Sequence, residues 1–153
     1  LPPAAKFPLL APSPTEGDSE AAGPVHSLHV VLCEDDAVNA LVIRKMLERL
    51  GHRVHVVATI AALRQAVASS APDIVITDNG LPDGTGADFI AELRDGQDGA
   101  KGSALPVIVL TADGGASLRT RLLAAGADSV LAKPIGPEAL RQALDRIAHF
   151  PPG

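Results

Sequence analysis

From residue 28 onward the hydrophobic positions fall into two alternating patterns. Short apolar runs, rich in β-branched residues, have the length of buried strands. They are His29-Val30-Val31-Leu32-Cys33, Arg53 to Val57, Asp73 to Asp78, Pro106 to Thr111 and Ser129-Val130-Leu131-Ala132. Between them lie stretches whose apolar residues stand three and four apart, the spacing of one helical face. Ala37 to Leu50 carries Val38, Val42, Ile43, Met46, Leu47 and Leu50 at this spacing and stops at Gly51, a residue suited to a left-handed C-cap. Thr59 is predicted to cap a second helix that carries Leu63 and Val67 and ends before Pro72. Ala87 to Arg94 offers Phe89, Ile90 and Leu93, and Ser117 to Ala125 closes on Gly126. Pro137 opens a last helix with Leu140, Ala143, Leu144 and Ile147 facing inward. A polar, glycine-rich loop, Asp95 to Ala104, separates the third helix from the fourth strand.

Strands that are apolar throughout, each followed by a helix, predict an α/β fold: a doubly wound parallel sheet covered on both faces. Right-handed crossovers leave few orders for five βα units, and 2-1-3-4-5 is a common one. In that order the winding reverses between strands 1 and 3, which opens a crevice at their carboxyl ends. On this rim the sequence puts Glu34-Asp35 after strand 1, Asp78 at the end of strand 3, Thr111-Ala112 at the end of strand 4 and Lys133-Pro134 after strand 5. Clustered carboxylates repel one another by roughly 4 kcal/mol per pair at about 4 Å and an effective dielectric near 20. Such a cluster calls for a proton or a cation. All-oxygen donors suit Mg²⁺, and a hydroxyl with an ammonium beside it suits an anionic group. This is the equipment of phosphoryl transfer, where catalysis is mostly positioning and charge stabilisation.

Composition narrows the classes further. At 153 residues the chain is long enough for one domain to bury a core without disulfides. Net charge is −5, so no basic field exists for a nucleic acid or an anionic membrane. Trp and Tyr are absent and Phe numbers 3, which removes most stacking platforms for bases. The one cysteine, Cys33, reads as a small buried hydrophobe inside strand 1. His52 and His55, and His26 and His29, lack a third ligand nearby. No apolar run approaches the roughly 18 residues of a membrane span. Residues 1–27 read as a Pro/Ala-rich linker without the features of a signal peptide, residues 28–150 as the domain and 151–153 as a tail. The opening Leu1 suggests a piece of a longer protein, and the expected location is the cytoplasm.

Taken in order, Glu34-Asp35, Asp78, Leu81-Pro82-Asp83-Gly84-Thr85-Gly86, Thr111-Ala112 and Lys133-Pro134 resemble the receiver domain of two-component response regulators, over His29 to Phe150. The resemblance implies a flavodoxin-like (βα)5 sheet and Mg²⁺ as cofactor. It implies that Asp78 accepts a phosphoryl group from a phosphohistidine, carried by a histidine kinase or a histidine phosphotransfer domain. It makes Asp35 and Asp78 direct metal ligands, Glu34 a partner through water and the Gly80 carbonyl the remaining protein ligand. Thr111 resembles the switch hydroxyl and Lys133 the phosphoryl partner; Ala112 is suitably small, and Pro134 is expected to follow a cis peptide bond. Two positions depart from the pattern. Val130 stands three residues before Lys133, where the family usually carries an aromatic, and Asn79 follows Asp78, where an apolar residue is usual. The loop before strand 4 is also longer. Phe7-Pro8-Leu9 resembles the closing strand of a kinase ATP-binding domain, so residues 1–10 read as its tail. With Asn39, this points to the C-terminal receiver of a hybrid sensor histidine kinase.

Other readings stand beside this one. Glu34-Asp35-Asp36 also suits an acidic cap on the first helix, and Asp78-Asn79-Gly80 a plain turn. One rival is a receiver-like docking or dimerisation module, a possible homodimer, that does not switch by phosphorylation; Val130 and Asn79 motivate it. Another is a small phosphatase or nucleotide-binding protein, weakened by the absence of GxxxxGK[ST], GxGxxG and DxDxT. In the leading reading the domain turns over nothing beyond its own phosphorylation and dephosphorylation.

Overall fold

A computed structural model describes residues 27–95, 105–112 and 114–148. The main elements are β1 (His29–Cys33), α1 (Ala37–Arg49), β2 (Arg53–Val57), α2 (Ile60–Ser70), β3 (Ile74–Asp78), α3 (Gly86–Arg94), β4 (Val107–Thr111), α4 (Ala116–Ala125), β5 (Ser129–Ala132) and α5 (Pro137–Ala148). Between β3 and α3, Gly80–Leu81 and Gly84–Thr85 pair antiparallel as a small ribbon. The five main strands are parallel, in the order β2-β1-β3-β4-β5. The doubly wound α/β sheet and the order 2-1-3-4-5 are therefore as the sequence predicts.

Alternation along the strands divides the core between the two faces of the sheet. Val31, Cys33, Val75, Val107, Val109 and Val130 pack with Leu63, Phe89, Ile90, Leu93 and Leu122 of α2, α3 and α4. Val30, Leu32, Ile74, Ile76, Ile108 and Leu110 pack with Ile43, Leu47, Leu140, Ala143 and Leu144 of α1 and α5. β1, β3 and β4 are buried on both sides, which is why their sequences are largely apolar without alternation, whereas the edge strand β2 exposes Arg53 and His55.

The helix ends follow from local chemistry. Asp36 caps α1 by accepting from the amides of Val38 and Asn39. Thr59 caps α2 through the Ala62 amide, and Thr85 caps α3 through the Asp88 amide. Gly51 follows α1 at φ +96°, and Gly126 closes α4 at φ +120°. β3 begins at Ile74 rather than Asp73. The Asp73 carboxylate accepts from the His29 amide at 2.7 Å, so this residue anchors the strand entrance from outside the ladder.

One expectation for α1 is corrected. Val38 and Val42 do not face the core: they are 70% and 47% exposed, and Leu41 between them is 51% exposed. The buried face is Ala40, Ile43 and Leu47. A 3.6-residue period draws two apolar stripes on this helix, and only one can meet the sheet. Cys33 is buried as predicted, and desolvation pushes its thiol up to about 12. His52 is buried too, with its Nδ1 accepting from the Leu28 amide at 3.1 Å. No helix among the described residues is long and apolar enough to cross a membrane. Residues 1–26 of the predicted linker 1–27, the glycine-rich loop beyond Asp95 and the tail at 151–153 lie outside the described residues.

Candidate functional site

Strand register brings the rim together. β1 and β3 pair Cys33 with Thr77, so the next residues, Glu34 just past β1 and Asp78 at the last position of β3, stand side by side. One step past the end of β1, the Glu34 amide still donates to the carbonyl of Val57, the last residue of β2, at 2.9 Å, which draws Glu34 inward. It is 2% exposed, whereas Asp35 is exposed. β4 and β5 pair Thr111 with Ala132, and the Lys133 amide then donates to the Thr111 carbonyl at 2.8 Å. That last ladder step aims the Lys133 side chain at the acidic rim. The Lys133–Pro134 peptide bond is cis, as the sequence resemblance implies.

Lys133 Nζ donates to Glu34 Oε1 and to Asp78 Oδ2, both at 3.0 Å. The other Glu34 oxygen accepts from the Asp36 amide at 3.2 Å. One carboxylate oxygen each of Glu34, Asp35 and Asp78 lies within 4.8 Å of the others. At that spacing and an effective dielectric near 20, each pair of charges repels by roughly 3 kcal/mol. Burial pushes the Glu34 carboxyl above the ordinary range, against the pull of Lys133 and the Asp36 amide. Burial also opposes the charge on Lys133. Its hydrogen bonds to Glu34 and Asp78 outweigh that and hold its pKa above the usual lysine value.

Among the described residues three carboxylates face one ammonium at this rim, an excess of negative charge. A hard divalent cation with oxygen ligands fits this donor set, and Mg²⁺ characteristically uses one or two carboxylates and keeps its waters. The acidic cluster predicted from the sequence is thus assembled, with Lys133 among its members. Thr111 is buried at the end of β4 on the same rim, and Gly80 begins the ribbon two residues after Asp78. Asp36 separates from the others as a helix cap, which resolves the acidic triplet into two members of the carboxylate cluster and one capping residue.

The two departures have structural counterparts. Val130 is 5% exposed, held in the core rather than at a switching surface. Its backbone carbonyl accepts from Arg119 Nη1 of α4 at 2.9 Å. Asn79 Oδ1 is buried with no hydrogen-bond partner among the described residues. Sequence reasoning missed three connections around the rim: the Glu34–Lys133 bond, the Thr85 cap, and Asp83, whose carboxylate binds the amides of Ile60 and Ala61. Only the Thr85 cap had a local signal, a threonine immediately before an apolar-periodic stretch.

Comparison with known proteins agrees with this geometry. The family model described as the response regulator receiver domain matches residues 30–145. KdpE, the KDP operon transcriptional regulatory protein of Escherichia coli, is 40% identical over 108 residues, which cover 71% of this chain and 45% of KdpE. The sensor histidine kinase AruS of Pseudomonas aeruginosa is 32% identical over 143 residues, covering 94% of this chain and 14% of AruS. The chain thus spans less than half the length of either relative. Among solved structures, the receiver domain of sensor histidine kinase PA1611 from P. aeruginosa superposes with a TM-score of 0.72 at 31% identity. The match covers 82% of this chain and all of that one, and that crystal structure has a magnesium ion coordinated in its active-site cleft.

Proposed function

The chain belongs to the response regulator receiver domain family, and from that premise we propose that Asp78 accepts a phosphoryl group from a phosphohistidine in a Mg²⁺-dependent step. The observation that carries this reading is the placement of Lys133, bonded at 3.0 Å to both Asp78 and Glu34 with the Asp35 carboxylate in reach. An Asp78 oxygen attacks phosphorus and a P–O bond forms. The P–N bond breaks, and the imidazole leaves with that bond's electron pair, its other ring nitrogen keeping a proton. Asp35, Asp78 and the Gly80 carbonyl would hold the metal, with Glu34 acting through water and through Lys133. When bound, Mg²⁺ supplies positive charge to the transferring oxygens. Lys133 neutralises the phosphoryl group from the other side, and Thr111 donates its hydroxyl to a phosphoryl oxygen.

The donor is a histidine kinase or a histidine phosphotransfer domain. The exposed stripe Val38, Leu41 and Val42 on α1 begins three residues after Asp35 and gives such a partner an apolar surface beside the rim. Both kinds of relative, a transcriptional regulator and sensor kinases, contain this domain. The hybrid-kinase context is favoured by the reach of the AruS match: 143 aligned residues exceed the length of the domain at 28–150 and extend into the Pro/Ala-rich segment. In that setting the domain works on the cytoplasmic side. The docking-only alternative is not favoured, because it gives no reason for Asp35, Asp78 and Lys133 to converge.

The test is binding of beryllofluoride with Mg²⁺, followed by calorimetry, since that anion occupies the phosphoryl position only when carboxylate, metal and lysine are all present. Wild type is expected to bind it in a Mg²⁺-dependent manner and Asp78→Asn to lose binding. Equal binding by the variant would remove Asp78 from the site.

A further inference from the structure

The ribbon that carries Gly80 has few bonds of its own. Gly80 pairs with Thr85 and Leu81 with Gly84, and the Gly86 amide donates to the Asn79 carbonyl at 2.8 Å. At the ribbon tip, after Pro82, Asp83 reaches across to a different element. Its Oδ1 accepts from the Ile60 amide at 2.8 Å and its Oδ2 from the Ala61 amide at 3.1 Å. These are the first two amides of α2, and Thr59 takes the third, from Ala62. Two side chains thus divide three of the four amides that a helix start leaves unsatisfied. The Ile60 amide, then the Ala61 amide, hold the Asp83 carboxyl below the ordinary range. Gly84, at φ +156°, passes close to the same helix end: a Cβ there would lie 3.5 Å from Ile60 Cγ1.

We propose that Asp83 is a positioning residue for the metal site: by capping α2 from the ribbon tip it fixes the ribbon, and with it the Gly80 carbonyl, beside Asp78. The inference rests on the reading of Gly80 as a metal ligand. It assigns the two caps of α2 different jobs. Thr59 precedes the helix and its hydroxyl caps that helix, whereas the Asp83 side chain belongs to the ribbon and ties the two together. Both carboxylate oxygens are used, so asparagine, with one acceptor oxygen, replaces half of the contact.

The experiment compares wild type, Asp83→Ala, Asp83→Asn and Thr59→Ala by calorimetric titration with Mg²⁺, and by amide hydrogen exchange of residues 80–85 in the metal-free protein. Outer-shell partners of metal ligands typically set affinity by 10–100-fold, so Asp83→Ala is expected to weaken Mg²⁺ binding about tenfold, Asp83→Asn by less, and Thr59→Ala by under about twofold. Ribbon amides are expected to exchange faster in Asp83→Ala and not in Thr59→Ala. Unchanged Mg²⁺ affinity or unchanged ribbon exchange in Asp83→Ala would overturn the proposal, as would an equal loss of affinity in Thr59→Ala, which would make both residues mere helix caps. A wild-type chain that binds no Mg²⁺ would instead overturn the reading of the rim, and this inference with it.

Discussion

Lys133→Ala is expected to slow phosphorylation by a small phosphodonor about 10²- to 10³-fold, the usual loss when one donor to a developing oxyanion is removed. The same substitution leaves Glu34 and Asp78 facing each other without the ammonium that bridges them at 3.0 Å. Removing one partner of a buried ion pair costs about 3–5 kcal/mol when the remaining charge has no escape. Here Glu34 is almost wholly buried, but Asp78 is less so and Lys133 keeps a fifth of its side chain in water. The expected loss of stability in the metal-free protein is therefore smaller, about 2 kcal/mol. Its pH dependence has a definite sign. The Glu34 carboxyl already lies above its ordinary value and loses the pull of Lys133 in the variant. A carboxyl raised in the folded state binds more protons there than in the unfolded chain, so stability falls as pH rises from the unfolded value through the folded one. The deficit against wild type should be larger at pH 8 than near pH 5. Urea denaturation at the two pH values checks this, and an equal deficit at both would contradict it.

The second large effect lies away from the rim. Arg94→Ala is expected to cost about 2 kcal/mol of stability, since its guanidinium satisfies partly buried acceptors on separate segments. Nη1 donates to the Leu105 carbonyl at 2.7 Å, while Nε and Nη2 donate to the Gly126 carbonyl at 3.2 and 2.9 Å. Nη2 also meets Asp128 Oδ2 at 3.0 Å, and that oxygen in turn accepts from the Val107 amide at 2.8 Å. One side chain therefore ties the end of α3 to the entrance of β4 and to the turn between α4 and β5. Its stem fills the space where a Cβ on Gly126 would stand, 2.8 Å from Arg94 Cγ. Arg94→Lys should recover little, because an ammonium cannot reproduce the planar fork. Urea denaturation with unchanged beryllofluoride binding below the transition is the expected pattern. A loss under about 1 kcal/mol would mean that water replaces the fork at little cost.

The features legible in the sequence are those with a period or a fixed order. β-branched runs identified all five main strands to within a residue at either end, most plainly β1, β3 and β4, whose burial on both faces leaves little room for polar positions. Glu34, Asp35, Asp78, Thr111 and Lys133 were legible as a set because each follows or ends a strand, and parallel strands deliver their carboxyl ends to one edge. What escaped were contacts between segments distant in sequence. Asp83 reads locally as a turn residue, yet its carboxylate serves a helix 22 and 23 residues earlier. Arg94 reads as the basic end of a helix, yet its partners are Leu105, Gly126 and Asp128. A side chain that caps a distant backbone group carries no periodic signature. On α1 the period itself misled, since Val38 and Val42 fit a helical stripe that the sheet leaves outside.

Whether Asp78 is the phosphoryl acceptor is decided by the intact mass of the chain after incubation with acetyl phosphate and Mg²⁺, wild type beside Asp78→Asn. An adduct of one phosphoryl group is expected on wild type, removed by hydroxylamine as an acyl phosphate should be, lost when Mg²⁺ is chelated, and absent from Asp78→Asn. No adduct on wild type, or an equal adduct on the variant, would contradict that role for Asp78.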